Sequence, residues 1–472
     1  MKTFKEIQSL LQTYGQEHLL AFWDQLDDNS RKKLGEQILA IDFYQLQKYY
    51  ANRNAPAAAA LLADNAKDPP AYKFSTVPAG TPDCAARVAV SAADAVRTGE
   101  AALADGKVGV VLVAGGQGTR LGFEHPKGMF PIAPVSNNTL FQIHVEKVVA
   151  TAKRYGKPVP LCVMTSPATH DETVAFFNAN GNFGLPDDDL FVFCQGTMPA
   201  VDEATGRVLL AEKDSLALSP DGHGGMLAAI NKSTLPTIAG RGIESLFYFQ
   251  VDNPLVKICS PEYIGYQLLS GAEMTCQVIR KRFPDDRVGN VVDVDGRLHI
   301  IEYSDLPLDV AKRTRTDGSL AIWAGSIAVH IFAVAFLQRQ AAQTLPIHIA
   351  RKKVGYIDTT NGAKISPDKP NAIKFEKFVF DLLPSADNAV VVEVDVPNHY
   401  APLKNAVTSE TDNERTVRND IVAQYTRWLQ RVNVTVADGT AVEISPLFAL
   451  DESELVGKVD SGRVIDSPIY FK

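Results

Sequence analysis

Apolar residues recur at helical spacing through the first fifty positions: Leu19, Leu20, Trp23 and Leu26, then Leu34, Ile38, Ile41 and Phe43. That periodicity predicts helices with one buried stripe each, and Asn29 and Ser30 mark the expected break and cap. From 51 to about 81 the chain becomes Ala- and Pro-rich, with Pro56, Pro69, Pro70, Pro78 and Pro82, which predicts an irregular surface connection. An Ala-rich helix is expected from about Ala85 to Leu103.

At 108 the pattern changes. Residues 108–114 (VGVVLVA) form a nearly unbroken apolar run ending in glycines, the mark of a strand buried on both faces of a parallel sheet. Further strands are expected at 161–165 (LCVMT), 190–194 (LFVFC) and 245–251 (SLFYFQV). Between them lie helices opened by Thr139 with Gln142 and by Thr169 with Glu172, each read as a capping box. Strand and helix alternate at the spacing of right-handed crossovers, so the fold class is α/β: a doubly wound, Rossmann-like sheet of nucleotidyltransferase type. Beyond 381 the pattern shifts again. A strand is expected at 388–396, a helical stripe at Ile421, Val422, Tyr425, Trp428 and Leu429, and a hairpin turning at Asp438-Gly439 between Val432, Val434, Val436 and Val442, Ile444. The expected division is a helical segment and linker (1–104), a catalytic domain (105–385) and a small mixed C-terminal domain (386–472).

Composition adds boundaries to this picture. An apolar fraction of 46% in 472 residues supports a folded core, and a net charge of -8 leaves no basic excess for nucleic acid or an anionic membrane. A polyanionic substrate would therefore need local countercharge. The opening residues lack the apolar run of a signal peptide and no run reaches transmembrane length. Five cysteines (Cys84, Cys162, Cys194, Cys259, Cys276) stand far apart, without a disulfide or zinc pattern. A cytoplasmic location with no membrane partner is the expectation.

The sharpest chemical signal follows the first buried strand: residues 112–122 (LVAGGQGTRLG), then 126–129 (PKGM). Glycines let the backbone approach a ligand, and successive N–H groups in such a turn form a concave anion site. A P-loop is excluded because Gly122 is followed by Phe123 rather than Lys. A dinucleotide fingerprint fails too, since Leu121 stands where Gly or Ala is required and residues 164–166 (MTS) offer no acid for a ribose.

With that turn and a series of later blocks, the chain resembles the eukaryotic-type UDP-N-acetylhexosamine pyrophosphorylases, within the wider group that includes UDP-glucose pyrophosphorylases. The blocks run in one order: TLFQIHVEK (139–147), QGTMP (195–199), PDGHGG (220–225), VDN (251–253), IEYS (301–304), KPNAIKFEKFVFD (369–381) and PLKNA (402–406). The resemblance implies joining of UTP to a sugar 1-phosphate with release of pyrophosphate, with Mg²⁺ as cofactor. It places Gly115, Gly116, Gln195, Gly222 and Asp252 at the nucleotide, and Arg120, Lys127, Lys374 and Lys404 at the phosphates as the catalytic cations. Asp252, following a buried strand, is the expected Mg²⁺ ligand, because that ion keeps waters and takes its other ligands from phosphates. Contacts to the sugar are implied at His223, Gly289, Glu302, Ser326, Phe378 and Phe380. On pattern alone Phe378 and Phe380 read as alternate residues on one face of a strand.

Two departures bear on the sugar. N-acetylglucosamine members have Asn where this chain has His223 and Ser326, and Gly-His-Gly is found in UDP-glucose pyrophosphorylases. N-acetylglucosamine or N-acetylgalactosamine 1-phosphate is therefore the leading expectation, with glucose or galactose 1-phosphate as the alternative. A non-catalytic nucleotide-sugar sensor would not need Arg120, Lys127, Asp252, Lys374 and Lys404 together. A glycosyltransferase would show an Asp-x-Asp pair after a strand, and Asp252-Asn253-Pro254 lacks the second Asp. The oligomeric state stays open.

Overall fold

The computed structural model describes residues 3–55, 60–78, 81, 86 and 88–472. Pro56, Pro82, Cys84 and Ala85 lie outside the described residues. The chain forms two compact units that cut across the division expected at 104 and 385: one of Met1–Ala57, Gln195–Gly225 and Thr344–Asp381, the other of Ala58–Cys194, Met226–Gln343 and Leu382–Lys472.

In the first unit, three helices bury one stripe each. Phe4–Tyr14 starts on a reciprocal Thr3/Glu6 capping box and stops at Gly15, whose φ of 66° suits a residue without Cβ. The next helix, Asp28–Leu39, is capped by Asp27, which accepts from the Ser30 N–H, so the cap lies earlier than the expected Asn29 and Ser30. Phe43–Ala51 is capped by Asp42. Ile7, Leu11, Leu34, Ile38, Phe43 and Leu46 pack with Val201, Ile373 and Phe375. The last three sit on an antiparallel sheet of His348–Lys352, Ala372–Glu376 and Val201–Asp202.

The second unit is built on one sheet of eleven strands: β1 (Ala71–Lys73), β2 (Val108–Val113), β3 (Leu161–Thr165), β4 (Leu190–Cys194), β5 (Ser245–Gln250), β6 (Met274–Arg280), β7 (Gly289–Val294), β8 (Arg297–Ile301), β9 (Ala324–Ser326), β10 (His330–Ala333) and β11 (Ala389–Glu393). The main order is β8-β7-β9-β6-β10-β5-β2-β3-β4, with β11 between β6 and β1. Strands β5, β2, β3 and β4 are mutually parallel, as their apolar runs predict. The other half is largely antiparallel, because β7 and β8 are a hairpin and β10 returns against β5. The sheet is thus mixed, with the Rossmann-like arrangement confined to its parallel side.

Several local expectations change. The helix expected from Ala85 is Ala92–Ala104, capped by Ser91, and the Pro-rich connection contributes β1 to the sheet. Thr139 caps Leu140–Tyr155 by accepting from the Gln142 N–H, but the Gln142 side chain donates to Glu146 instead of closing a box. Thr169 makes no side-chain cap; its hydroxyl accepts from the Ser166 N–H. β11 joins the central sheet rather than opening a separate domain. Asp438-Gly439 turns the chain but makes no hairpin, since Thr435–Val436 pairs in parallel with Val464–Ile465, and Val442–Ile444 with Ile469–Phe471. Among the described residues, no helix is long and apolar enough to cross a membrane.

Helix Ala92–Ala104 meets helix Pro261–Ser270 through two glycines. A Cβ at Gly265 would lie 1.8 Å from the Ala95 carbonyl oxygen, and one at Gly99 1.9 Å from that of Pro261. Backbone cannot yield as a flexible side chain can. Gly265→Ala should therefore destabilise the protein by about 1–3 kcal/mol, read as a lower urea midpoint; an unchanged midpoint would show that the helices can part without cost.

Candidate active site

The glycine turn leaves β2 at its carboxyl end, where open α/β sheets place ligands. Gly115 accepts a hydrogen bond from the Ser166 hydroxyl at 2.7 Å, which ties the turn to the segment after β3. Gly116 accepts from the Lys127 N–H at 3.0 Å, and Gly118 donates to the His125 carbonyl at 2.9 Å, so the turn folds back on itself. A Cβ at Gly116 would meet nothing within 4 Å, leaving that backbone open to an approaching group. Arg120 stands exposed in the Thr119–Leu121 turn.

Asp252 lies two residues past β5, and the chain around it is clamped. The Val251 N–H donates to Val113 at 3.0 Å, and the Val251 carbonyl accepts from buried His144 Nε2 at 3.0 Å. The Asp252 carbonyl accepts from the Leu403 N–H at 2.8 Å. Asn253 donates to the His399 carbonyl and accepts from the N–H groups of Leu255 and Ala401. Lys147 closes the clamp by donating to the carbonyls of Pro254 at 2.5 Å and Val256 at 2.9 Å. Burial, followed by the positive charge of Lys147, pushes His144 down to about 3. It is therefore a neutral imidazole donating to Val251.

The Asp252 carboxylate then faces cations. Lys127 Nζ lies 3.5 Å from Asp252 Oδ2, both side chains about one-sixth exposed (17% and 16%). The Leu403 bond brings Lys404 alongside, with its Nζ donating to the Tyr400 hydroxyl at 3.0 Å and its backbone N–H to the Asp412 carbonyl. Burial would lower the Lys404 pKa, but Tyr400, Asp252 and Asp412 outweigh it and keep the ammonium charged.

Gly289, Glu302 and Ser326, far apart in sequence, meet where β7 begins and β8 and β9 end. Gly289 pairs in register with Ser326. A Cβ at Gly289 would lie 3.5 Å from Glu302 Oε1 and 3.9 Å from Ser326 Cβ.

The first unit carries the other predicted residues. Buried Gln195 donates its amide to the Gly222 carbonyl at 3.2 Å and to Asp221 Oδ1 at 3.4 Å, which fixes the side chain and turns its carbonyl oxygen the other way. Burial pushes the Asp221 carboxyl up, while Lys377, 3.7 Å away, and the Gln195 amide work against that. Gly222 has φ 84°, and a Cβ there would come within 2.4 Å of the Lys377 carbonyl. His223 accepts from the Val379 N–H at Nδ1 and stacks on Phe378, with centroids 5.0 Å apart. His348 stacks on Phe378 at 4.1 Å and bonds Asp381. Phe380 completes the cluster, 5.1 Å from Phe378. These phenylalanines are not on a strand as expected: the strand ends at Glu376, and Val379 begins a 3-10 turn. Lys374 is half-buried on strand Ala372–Glu376, on the face opposite Ile373 and Phe375.

A family model described as UTP–glucose-1-phosphate uridylyltransferase matches residues 85–421. The UDP-N-acetylhexosamine pyrophosphorylase-like protein 1 of Homo sapiens is 35% identical over 464 residues, covering 95% of this chain and 90% of the human protein. The chain belongs to the UTP–glucose-1-phosphate uridylyltransferase family. The UDP-N-acetylglucosamine pyrophosphorylase of Saccharomyces cerevisiae is 36% identical over 384 residues, 78% of this chain and 80% of the yeast protein. In fold, the chain is similar to the crystal structure of the uridine diphosphate N-acetylglucosamine pyrophosphorylase from Trypanosoma brucei, with TM-score 0.81, 24% identity, and coverage of 99% and 97%.

Within this uridylyltransferase chain, three groups that touch the predicted residues went unassigned in the sequence. Tyr400 precedes Lys404 by four residues, and Asp412 reaches it only through a loop. Neither spacing carries a signal. Asp221 sits in the PDGHGG block, where its neighbours drew attention and a buried acid did not announce itself.

The buried histidines set an acid limit on this structure. His144 at about 3 and His330, pushed down by burial to about 4, both start from 6.5 in the unfolded chain. Between about pH 6.5 and 4 the unfolded chain binds protons that the folded one refuses, so stability falls as pH falls, by up to about 1.4 kcal/mol per pH unit for each group. Urea midpoints should drop across that window, and more gently in His144→Gln; a flat wild-type profile would contradict the burial argument.

Proposed function

We propose that the chain is a uridylyltransferase that joins UTP to N-acetylglucosamine 1-phosphate or N-acetylgalactosamine 1-phosphate, forming a UDP-sugar and pyrophosphate. The observation that carries this reading is the gathering of Lys127, Asp252 and Lys404 at the end of β5, in the unit that also carries the glycine turn. A phosphate oxygen of the sugar 1-phosphate attacks the α-phosphorus of UTP, a new P–O bond forms, and the bond to pyrophosphate breaks. Such a transfer asks for positioning and charge stabilisation rather than a protein nucleophile. Lys127 and Lys404 supply fixed positive charge, Arg120 an exposed one, and Gly115 and Gly116 a backbone surface for phosphate oxygens. Lys374 adds a further cation for the phosphates in the first unit.

Gln195 reads the base. With its amide donating to Asp221 and Gly222, its carbonyl oxygen is left to accept from an imide N–H such as uracil N3–H. Cytosine presents a lone pair at N3 and is refused. Gly222 holds the turn that makes this orientation possible.

Asp252 suits Mg²⁺ shared with phosphates. It is one hard oxygen donor on a clamped turn, and among the described residues no group of three or more His, Cys, Asp or Glu forms a protein cage for a metal. The ion, when bound, would neutralise phosphate charge as the bond to pyrophosphate breaks.

For the sugar, Glu302 offers a carboxylate to hydroxyls, with Gly289 and Ser326 beside it. The relatives named as UDP-N-acetylhexosamine and UDP-N-acetylglucosamine pyrophosphorylases support an N-acetylhexosamine over glucose or galactose. His223, stacked on Phe378, and the tilted ring of Phe380 give an aromatic surface for a sugar face. His223 serves as a contact rather than an acid, since pyrophosphate needs no proton when a metal ion and lysines neutralise it. A cytoplasmic location belongs to the same reading: Cys162, Cys259 and Cys276 are buried free thiols that burial keeps protonated.

The test is pyrophosphate release from UTP and Mg²⁺ with each of four sugar 1-phosphates. Both N-acetylhexosamine phosphates should outrun glucose and galactose, and Lys127→Ala should lower turnover by about 10² to 10³ with its circular dichroism unchanged. Preference for glucose would reverse the sugar assignment, and release from no sugar would end the reading.

A further inference from the structure

The second unit holds a cavity of about 300 Å³ lined by none of the residues assigned to the nucleotide, the phosphates or the sugar. It lies between helix Leu140–Tyr155, the segment after Asp252 and helix Glu414–Arg431, at the lower end of the size range for small-molecule sites. Its walls combine apolar and charged groups in an uneven way.

Its acids are already engaged. Glu262 accepts from the Ser75 N–H at 2.7 Å, the Ser75 hydroxyl at 2.6 Å and the Tyr266 hydroxyl at 3.3 Å. Asp451 pairs with Arg154 at 2.8 Å and accepts from the Ser453 N–H and hydroxyl. Glu100 sits exposed at the edge. The two lysines are not so matched. Among the described residues, Lys147 donates to the carbonyls of Pro254 and Val256 alone. Lys257 lies over the Phe74 ring, 5.7 Å from its centroid. No ion pair joins either lysine to a carboxylate among the described residues. Burial, followed by repulsion from Lys257, pushes Lys147 down to about 7, and burial lowers Lys257 too. Neither ammonium has a described carboxylate in ion-pair contact; Asp395, Asp451 and Glu262 act on Lys257 only from farther off, so a bound anion would add the close counter-charge that the cavity lacks. Beside them, Leu255, Tyr425 and Trp428 offer apolar and ring surface.

We propose that this cavity is a second ligand site, which takes a compact organic anion with an apolar ring, its charge between Lys147 and Lys257 and its ring against Tyr425 and Trp428, and which thereby regulates turnover. The route to the reaction is short. Lys147 holds the carbonyls of Pro254 and Val256, two and four residues beyond Asp252, and an anion that draws its ammonium away loosens that hold. The regulatory half rests on the proposed reaction; the binding half does not.

The probe is anilinonaphthalene sulfonate, an aromatic ring system with one fixed negative charge, titrated by fluorescence against the full chain in saturating UTP. Saturable binding is expected, weakened about tenfold or more by Lys257→Met or by Lys147→Met and restored by Lys257→Arg. Exposed Lys32→Met, as control, should change nothing. Wild-type affinity in both Met variants would overturn the site, as would displacement of the probe by UTP. Pyrophosphate release at saturating substrates should change at least twofold with the probe bound. An unchanged rate overturns the regulatory half. A protein that binds the probe but releases no pyrophosphate with any sugar separates failure of the reaction from failure of the site.

Discussion

A carboxylate set between two ammonium groups at the end of a buried strand stays in place only if the backbone beneath it cannot move. In this chain that backbone is fixed from three sides: His144 on the Val251 carbonyl, Leu403 on the Asp252 carbonyl, and Lys147 on the carbonyls of Pro254 and Val256. None of those donors belongs to the strand that carries Asp252. They come from the helix Leu140–Tyr155 and from the segment leading into helix Glu414–Arg431, so residues more than a hundred positions apart fix one turn. His144 can do this only as a neutral ring, which is what its burial enforces.

The charge pattern follows from the same constraint. The chain carries a net charge of -8, which would repel a triphosphate at long range. Attraction has to be local, and it is: Lys127 and Lys404 flank Asp252, while the glycine turn contributes N–H groups that carry no formal charge at all. Lys404 keeps its proton although buried, because Asp252, Tyr400 and Asp412 surround it. A single acid among these cations also leaves room for a divalent ion whose remaining ligands come from the substrate.

Much of this was legible in the residues. The runs at 108–114, 161–165 and 245–251 gave their strands to within a residue because a strand buried on both faces has to be apolar throughout, and 190–194 gave a partly covered edge strand. The glycine turn was legible because four glycines with two cations have no simpler structural reason. Pairing was not. β11 reads as a strand but not as one inserted beside β6, and the Asp438-Gly439 turn reads as a hairpin although each flanking strand finds a parallel partner elsewhere. Local pattern fixes a turn; only long-range packing fixes a partner. The same limit hid Tyr400, Asp412 and Asp221, whose importance lies in what they touch. The aromatic pair Phe378 and Phe380 shows the converse, since alternation suggested a strand where stacking with His223 and His348 holds a turn.

The central claim is that Asp252 is the protein's share of a metal–triphosphate site. Calorimetric titration of UTP, with and without Mg²⁺, into the wild type and Asp252→Asn tests it most directly. Mg²⁺ should tighten UTP binding to the wild type by about tenfold, about 1.4 kcal/mol, and leave the variant's affinity unaltered. An equal gain from Mg²⁺ in both proteins would contradict the account.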